Sequence, residues 1–188
     1  DVYMGLQERT DFASQNRGDL FISLHTNAVP IPSMGGRARG FEIWVWDQNG
    51  NKSAAAKALE SLENDDGSVT QNNSNLIGAI MRDALQSQAL TSRKVAQVVH
   101  SAFIEDPYFR RHDRGIQGAK FKVLEIYDMP SILIEMGFIT HPEEVKLLFQ
   151  ARFQQDLAEA TYRGIVRYYE QSDSTFPRSP RGAVAAAK

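Results

Sequence analysis

The sequence has no cysteine among its 188 residues. Disulfide bonds, thiolate metal ligands and a cysteine nucleophile are therefore excluded. The formal net charge of -2 leaves no basic footprint, which argues against nucleic acid as the main partner. No apolar run reaches the roughly 18–20 residues of a membrane span, and the first residues lack both the basic and the apolar segment of a signal peptide.

What is present predicts one α/β domain. A chain of this length can bury a proper core, and its short apolar segments alternate with amphipathic ones. We expect a layered fold whose central, twisted, mostly parallel or mixed sheet is flanked by helices. Residues 1–170 should form this domain, and residues 171–188, which are poor in hydrophobic side chains, should form a disordered tail or linker.

Hydrophobic periodicity predicts the position of each element. Strands are predicted where short runs are apolar, at residues 19–25, 41–46, 121–126 and 131–136. Amphipathic stretches predict helices at residues 4–17, 53–63, 75–89, 92–105 and 151–170. The charged stretch 107–118 shows neither period and is predicted to be irregular.

Two titratable side chains end predicted buried strands. His25 closes the run DLFISLH, and Glu135 closes the run SILIE. In open α/β sheets, ligands and catalytic groups gather beyond the carboxyl ends of the strands. A histidine and a carboxylate that meet there could provide a metal ligand and a general base.

Both residues also have simpler interpretations. A histidine at a strand end is more often a hydrogen-bonded structural residue than a ligand. A glutamate inside an apolar run can be held by an arginine. The chain offers four arginines for that pairing, namely Arg9, Arg110, Arg111 and Arg114. The residue pattern alone leaves these alternatives open.

Two longer segments carry the most specific signal, DLFISLHTNA (19–28) and MPSILIEMGFITHPEE (129–144). The first resembles the motif S-[IL]-H-x-N, and the second resembles P-x-[IV]-L-[IV]-E-x-G-F. GLQERTDFA (5–13), GFEIWVW (40–46) and RGIQGAKFKVL (114–124) match further motifs in the same order. Together these segments resemble the zinc-dependent N-acetylmuramoyl-L-alanine amidases, in particular the cell-division type.

The resemblance implies hydrolysis of the amide bond between N-acetylmuramic acid and L-alanine in peptidoglycan, for cell-wall remodelling, daughter-cell separation or lysis. It implies that His25 binds Zn²⁺ and that Glu135 is the catalytic carboxylate. A periplasmic or extracellular location is expected from the substrate. Two alternatives stay open: a non-catalytic peptidoglycan-binding or regulatory domain that has lost its metal site, and a different zinc peptidase.

The resemblance leaves part of the metal site unmatched. The family has three protein ligands, and a histidine and a glutamate are expected upstream of Asp1, so that the chain would lack the N-terminal strands of its domain. Among the other histidines, His100 and His112 are expected on the surface. His141 stands in a turn where the family has asparagine, so a ligand role there would depart from the pattern.

Control and substrate binding are the remaining expectations. Residues 52–90 resemble a segment in which some cell-division amidases carry an inhibitory helix, and the implied partner is an envelope activator protein. Glu60 and Glu63 lie in the matching zone, although a solvated helix face is the simpler interpretation. Asn27 and Arg114 are candidates for substrate contacts, since a guanidinium group suits the carboxylates of a stem peptide.

Overall fold

A four-stranded mixed sheet lies at the centre of the structure, a computed structural model that describes residues 3–29, 37–50, 54–64 and 76–172. The strands are β1 (Phe21–Asn27), β2 (Phe41–Trp46), β3 (Asp113–Ala119) and β4 (Ser131–Phe138). Their order across the sheet is β1-β4-β2-β3. Strand β4 is parallel to β1 and antiparallel to β2, which is parallel to β3. The predicted α/β architecture with a mixed sheet is confirmed.

Helices cover both faces of this sheet. The described residues form α1 (Leu6–Gln15), α2 (Ala54–Glu63), α3 (Leu76–Phe103), α4 (Pro107–Arg111), α5 (Glu144–Leu148) and α6 (Ala151–Gln171). None of these helices is long and apolar enough to cross a membrane. Asp1, residues 65–75 and most of the predicted tail 171–188 lie outside the described residues.

One face of the sheet packs against α3 and α6. Its core is a cluster of buried side chains from β2, β4 and the two helices, including Phe41, Ile43, Val99 and Ile134. The helices approach closely at Gly164 on α6, where an added Cβ atom would lie 2.5 Å from the Cα atom of Val99. Glycine is therefore required at this crossing.

The opposite face packs against α2 and the segment between β3 and β4. Trp44 and Leu133 meet Phe121 there, and Leu59 of α2 joins the same cluster. This second core covers only part of the face. The uncovered part carries the polar side chains described below.

Three segments differ from the prediction. The two predicted helices at 75–89 and 92–105 form the single helix α3. The hydroxyl groups of Thr91 and Ser92 donate to the carbonyl oxygens of Ser87 and Gln88, so these polar residues are satisfied without ending the helix.

The predictions for 107–118 and 121–126 are wrong for opposite reasons. Residues 107–118 contain α4 and most of β3, an edge strand whose exposed, charged start gives little hydrophobic signal. Residues 121–126 form a 3₁₀ helix at Lys122–Leu124 rather than a strand. Phe121 and Leu124 are fully buried beside the sheet, so the apolar pattern there reports burial without strand pairing.

Candidate active site

Four charged or titratable side chains form a row across the uncovered face of the sheet, one from each strand. His25 on β1 is paired in register with Glu135 on β4, and Glu135 is paired with Glu42 on β2. Arg114 on β3 continues the series, with its Nε atom 3.0 Å from Glu42. We call these four residues the polar row. Directly paired residues point to the same face, so the fold brings together groups that are distant in sequence. The expectation that the strands of His25 and Glu135 are neighbours is confirmed, but β1 continues to Asn27 and β4 to Phe138, so the two residues lie two and three positions before the strand ends.

Glu135 is the most deeply buried member of the row. Its exposed fraction is 0%, and neither carboxylate oxygen has a hydrogen-bond partner among the residues that the structure describes. Burial raises the pKa of Glu135 to about 8, although the charge of His25 opposes the shift. A buried carboxylate without hydrogen bonds is costly, so this arrangement requires a physical reason.

An arginine partner does not supply that reason. Within the described part of the chain, no ion pair joins Glu135 to an arginine. Arg9 and Arg110 donate to backbone carbonyl groups, and Arg114 donates to Glu42 instead. The nearest titratable partner of Glu135 is His25, whose Nδ1 atom lies 4.0 Å from Oε1. The interpretation of Glu135 as one half of an arginine ion pair is therefore wrong.

Helix α2 brings a second carboxylate to the same place. The Oε2 atom of Glu63, the last residue of that helix, lies 2.9 Å from Nδ1 of His25. This hydrogen bond is the largest cause of a raised pKa at His25, while burial lowers it. One ligand atom each from His25, Glu63 and Glu135 lies within 4.8 Å of the other two, a grouping that could hold a metal ion.

The donor set of this group suits a divalent cation. Zinc binds imidazole nitrogen and carboxylate oxygen at about 2.0–2.2 Å, so its ligand atoms crowd together as these do. The two unpartnered oxygens of Glu135 are the observation that favours a cation, because a nearby positive charge offsets the burial of a carboxylate. The residues present therefore fit a metal ion.

The other histidines have different surroundings. His100 contacts Asp113 at 2.8 Å, and His112 contacts Arg39. The Nδ1 atom of His141 accepts from the backbone N–H groups at the start of α5, at 3.2 and 3.3 Å. Among the described residues, none of these three histidines joins the His25 group, so a ligand role for His141 has no support.

Asn27 and Arg114 meet on a residue that the sequence analysis missed. Glu42 is 3% exposed, and its Oε1 atom accepts from Nδ2 of Asn27 at 2.7 Å. Its Oε2 atom accepts from Nε of Arg114 at 3.0 Å. Glu42 could have been found, because it lies inside the apolar run FEIWVW as Glu135 lies inside ILIEMGFI.

Comparison with known proteins places the chain in a family. Residues 1–167 match the family described as N-acetylmuramoyl-L-alanine amidase. The chain belongs to this amidase family. The resemblance drawn from the motifs is thereby confirmed, while zinc itself remains a prediction.

Relatives of this amidase-family chain include bacterial cell-wall amidases. It is 30% identical over 180 residues to N-acetylmuramoyl-L-alanine amidase AmiA of Escherichia coli K12, covering 93% of this chain and 60% of AmiA. It is 33% identical over 177 residues to AmiC of Neisseria meningitidis serogroup B, covering 92% of this chain and 41% of AmiC. The chain thus spans less than two thirds of these relatives.

A solved structure has the same fold. The crystal structure of an N-acetylmuramoyl-L-alanine amidase from Clostridium difficile 630 aligns with a TM-score of 0.62 at 28% identity. The alignment covers 92% of this chain and 69% of the other.

A second missed residue fixes the end of β4 in this amidase-family domain. Glu144, the first residue of α5, is only 3% exposed. Its carboxylate accepts from the backbone N–H groups of Gly40 and Phe138 and from the hydroxyl of Tyr108. Phe138 lies three residues after Glu135, so this carboxylate ties the site to the start of β2.

Proposed function

We propose that residues 1–170 of this chain belong to the catalytic domain of a zinc-dependent amidase that cleaves peptidoglycan between N-acetylmuramic acid and L-alanine. Family membership supports the reaction class. The observation that carries the proposal is the buried carboxylate of Glu135, which has no hydrogen-bond partner in the described residues and lies beside His25 and Glu63. A location in the periplasm or outside the cell follows from this substrate.

His25 and Glu135 have separate roles in this proposal. His25 would hold the metal through Nδ1, the atom that faces both carboxylates. A bound Zn²⁺ would supply Lewis-acid polarisation of the scissile carbonyl and would lower the pKa of water. Glu135 takes a proton from the attacking water and delivers it to the nitrogen of the departing L-alanine. The products are a lactyl carboxylate on the sugar and a stem peptide with a free amino group.

The burial of Glu135 suits that role. Burial raises its pKa to about 8, and the positive charge of a bound metal ion would lower it again, which favours proton exchange near neutral pH. Because neither oxygen is committed to a hydrogen bond in the described residues, the carboxylate can accept a proton without first breaking a contact. The neighbouring β-strand side chains Leu133 and Ile134 are buried and exclude water from the strand around it.

Glu63 has a regulatory role in the proposal. Its carboxylate occupies the Nδ1 side of His25 at 2.9 Å, the side on which the metal and the substrate carbonyl would meet. Helix α2 therefore has to release Glu63 before substrate binds. An envelope activator protein is the proposed agent of that release.

Two substitutions in the full-length protein test the proposal. Glu135→Gln should leave zinc bound and abolish the release of stem peptides from muropeptides. His25→Ala should lower the zinc content, while His112→Ala, which removes a histidine outside the group, should not. Near wild-type turnover by Glu135→Gln would overturn the assignment. Wild-type protein that binds cell-wall sacculi but releases no peptide would favour the non-catalytic alternative.

A further inference from the structure

Arg114 lies at the end of the polar row, and only part of its guanidinium group is used. Its Nε atom donates to Oε2 of Glu42, and its Cζ atom lies 5.0 Å from the centre of the Phe138 ring. The two terminal nitrogens have no hydrogen-bond partner among the residues that the structure describes. The side chain is 40% exposed, so this edge is accessible.

The contact with Glu42 explains why that edge stays open. Arginine usually meets a carboxylate with two parallel N–H···O bonds. Here Asn27 donates to Oε1 of Glu42, and Arg114 contacts Oε2 through Nε alone. The remaining N–H groups form a fork that is fixed in position and matches a second carboxylate.

The position of the fork relative to Glu135 suggests its ligand. Strands β4 and β3 are separated by β2, so the backbones at Glu135 and Arg114 are roughly 10 Å apart. Two residues of an extended peptide span about 7 Å, and the Arg114 side chain covers the difference. In a stem peptide, the second residue after the cut bond is a D-glutamate joined through its γ-carboxyl group, which leaves its α-carboxylate free.

We propose that Arg114, held by Glu42 and Asn27 and stacked on Phe138, binds the α-carboxylate of the second stem-peptide residue. This inference rests on the proposed amidase function and adds a substrate preference to it. The site distinguishes stem peptides by one group: both oxygens of the free acid accept from the fork, whereas the α-amide has one acceptor oxygen and places its NH₂ group against the other donor.

The experiment compares two muropeptides that differ only at this group. N-acetylmuramoyl tetrapeptides with a free α-carboxylate or an α-amide at the second residue are hydrolysed by the full-length protein, and kcat/KM is measured from the released peptide. Wild type should prefer the acid by about 10- to 100-fold, as expected for a charge-assisted hydrogen bond. Arg114→Gln should abolish the preference, and Arg114→Lys, which keeps the charge without the fork, should retain part of it.

A matched control separates recognition of the α-carboxylate by Arg114 from the general effect of removing a positive charge. Arg111→Gln removes a positive charge from the exposed end of α4, three residues away, and should keep the wild-type preference. Equal cleavage of both substrates by wild type would overturn the subsite, and this comparison depends on no variant. An equal loss on both substrates in Arg114→Gln would also overturn it, because it would show that Arg114 only supports Glu42. Failure of wild type to cleave either substrate would overturn the amidase function, and the subsite with it.

Discussion

Replacing Glu144 by glutamine should destabilise the protein, because the buried carboxylate accepts on both oxygens. Oε1 accepts from the backbone N–H of Gly40 at 2.7 Å and from the hydroxyl of Tyr108 at 3.1 Å. Oε2 accepts from the backbone N–H of Phe138 at 2.8 Å. A glutamine of the same shape has one oxygen and one NH₂ group, so one side of this arrangement must place a donor against a donor.

The expected loss of unfolding free energy depends on which hydrogen bond of Glu144 is lost. In the better orientation the amide oxygen of the glutamine keeps the hydrogen bonds from Gly40 and Tyr108. Its NH₂ group then faces the backbone N–H of Phe138. Hydrogen bonds to charged groups contribute about 1.5–3 kcal/mol each, and a buried donor left unpaired costs about 1–3 kcal/mol. We therefore expect Glu144→Gln to lower the free energy of unfolding by about 2–4 kcal/mol. Because the lost contact holds the backbone after Glu135, turnover should fall as well.

Urea denaturation of the full-length protein, followed by tryptophan fluorescence, measures this loss. Glu143→Gln is the matched control, because Glu143 is adjacent in sequence but exposed and paired only with Lys146 among the described residues. The control should leave the midpoint of unfolding unchanged. If Glu144→Gln unfolds at the same urea concentration as wild type, the three hydrogen bonds do not stabilise this corner and the reasoning is refuted.

Three further predictions concern the metal, the regulatory carboxylate and the helix crossing. Chelation of the metal should abolish peptide release and lower the melting temperature, and Zn²⁺ should restore both; activity that survives chelation would contradict a metal-dependent reaction. Glu63→Gln should raise turnover without loss of zinc, whereas a fall in both would identify Glu63 as a metal ligand. Gly164→Ala should lower the free energy of unfolding by about 1–3 kcal/mol in the same urea assay, because the new Cβ atom meets the backbone of Val99; an unchanged stability would show that the helices can separate without cost.

The part of the site that the sequence predicts is the part with a local signature. His25 and Glu135 each follow a short apolar run, where an isolated polar residue is conspicuous. The structure adds partners that no local pattern links, since Arg114 and Glu42 are 72 residues apart and Gly40 and Glu144 are 104 apart. Such pairs depend on strand order, which periodicity does not determine.

The fold shows the same limit. Strand β4 is predictable because both of its faces are buried, and its residues read as one apolar run. Strand β3 lies at the edge of the sheet and is half exposed, so its sequence DRGIQGA carries no alternation to detect. Hydrophobic periodicity reports burial, and it predicts secondary structure only where burial and pairing coincide.

Three glutamates of this domain are almost fully buried, and their hydrogen bonds divide them into two kinds. Glu42 and Glu144 have partners on both carboxylate oxygens, so their burial is compensated and each ties together segments distant in sequence. Glu135 has none among the described residues. Glu42 and Glu144 nevertheless fix the position of the strand that carries Glu135. Glu42 is the register partner of Glu135 on β2, and Glu144 accepts from the backbone N–H of Phe138 at the end of β4. The fold thus provides hydrogen bonds to two buried carboxylates, while the described residues provide none to the third. That third carboxylate, Glu135, lies beside His25 and is available for chemistry.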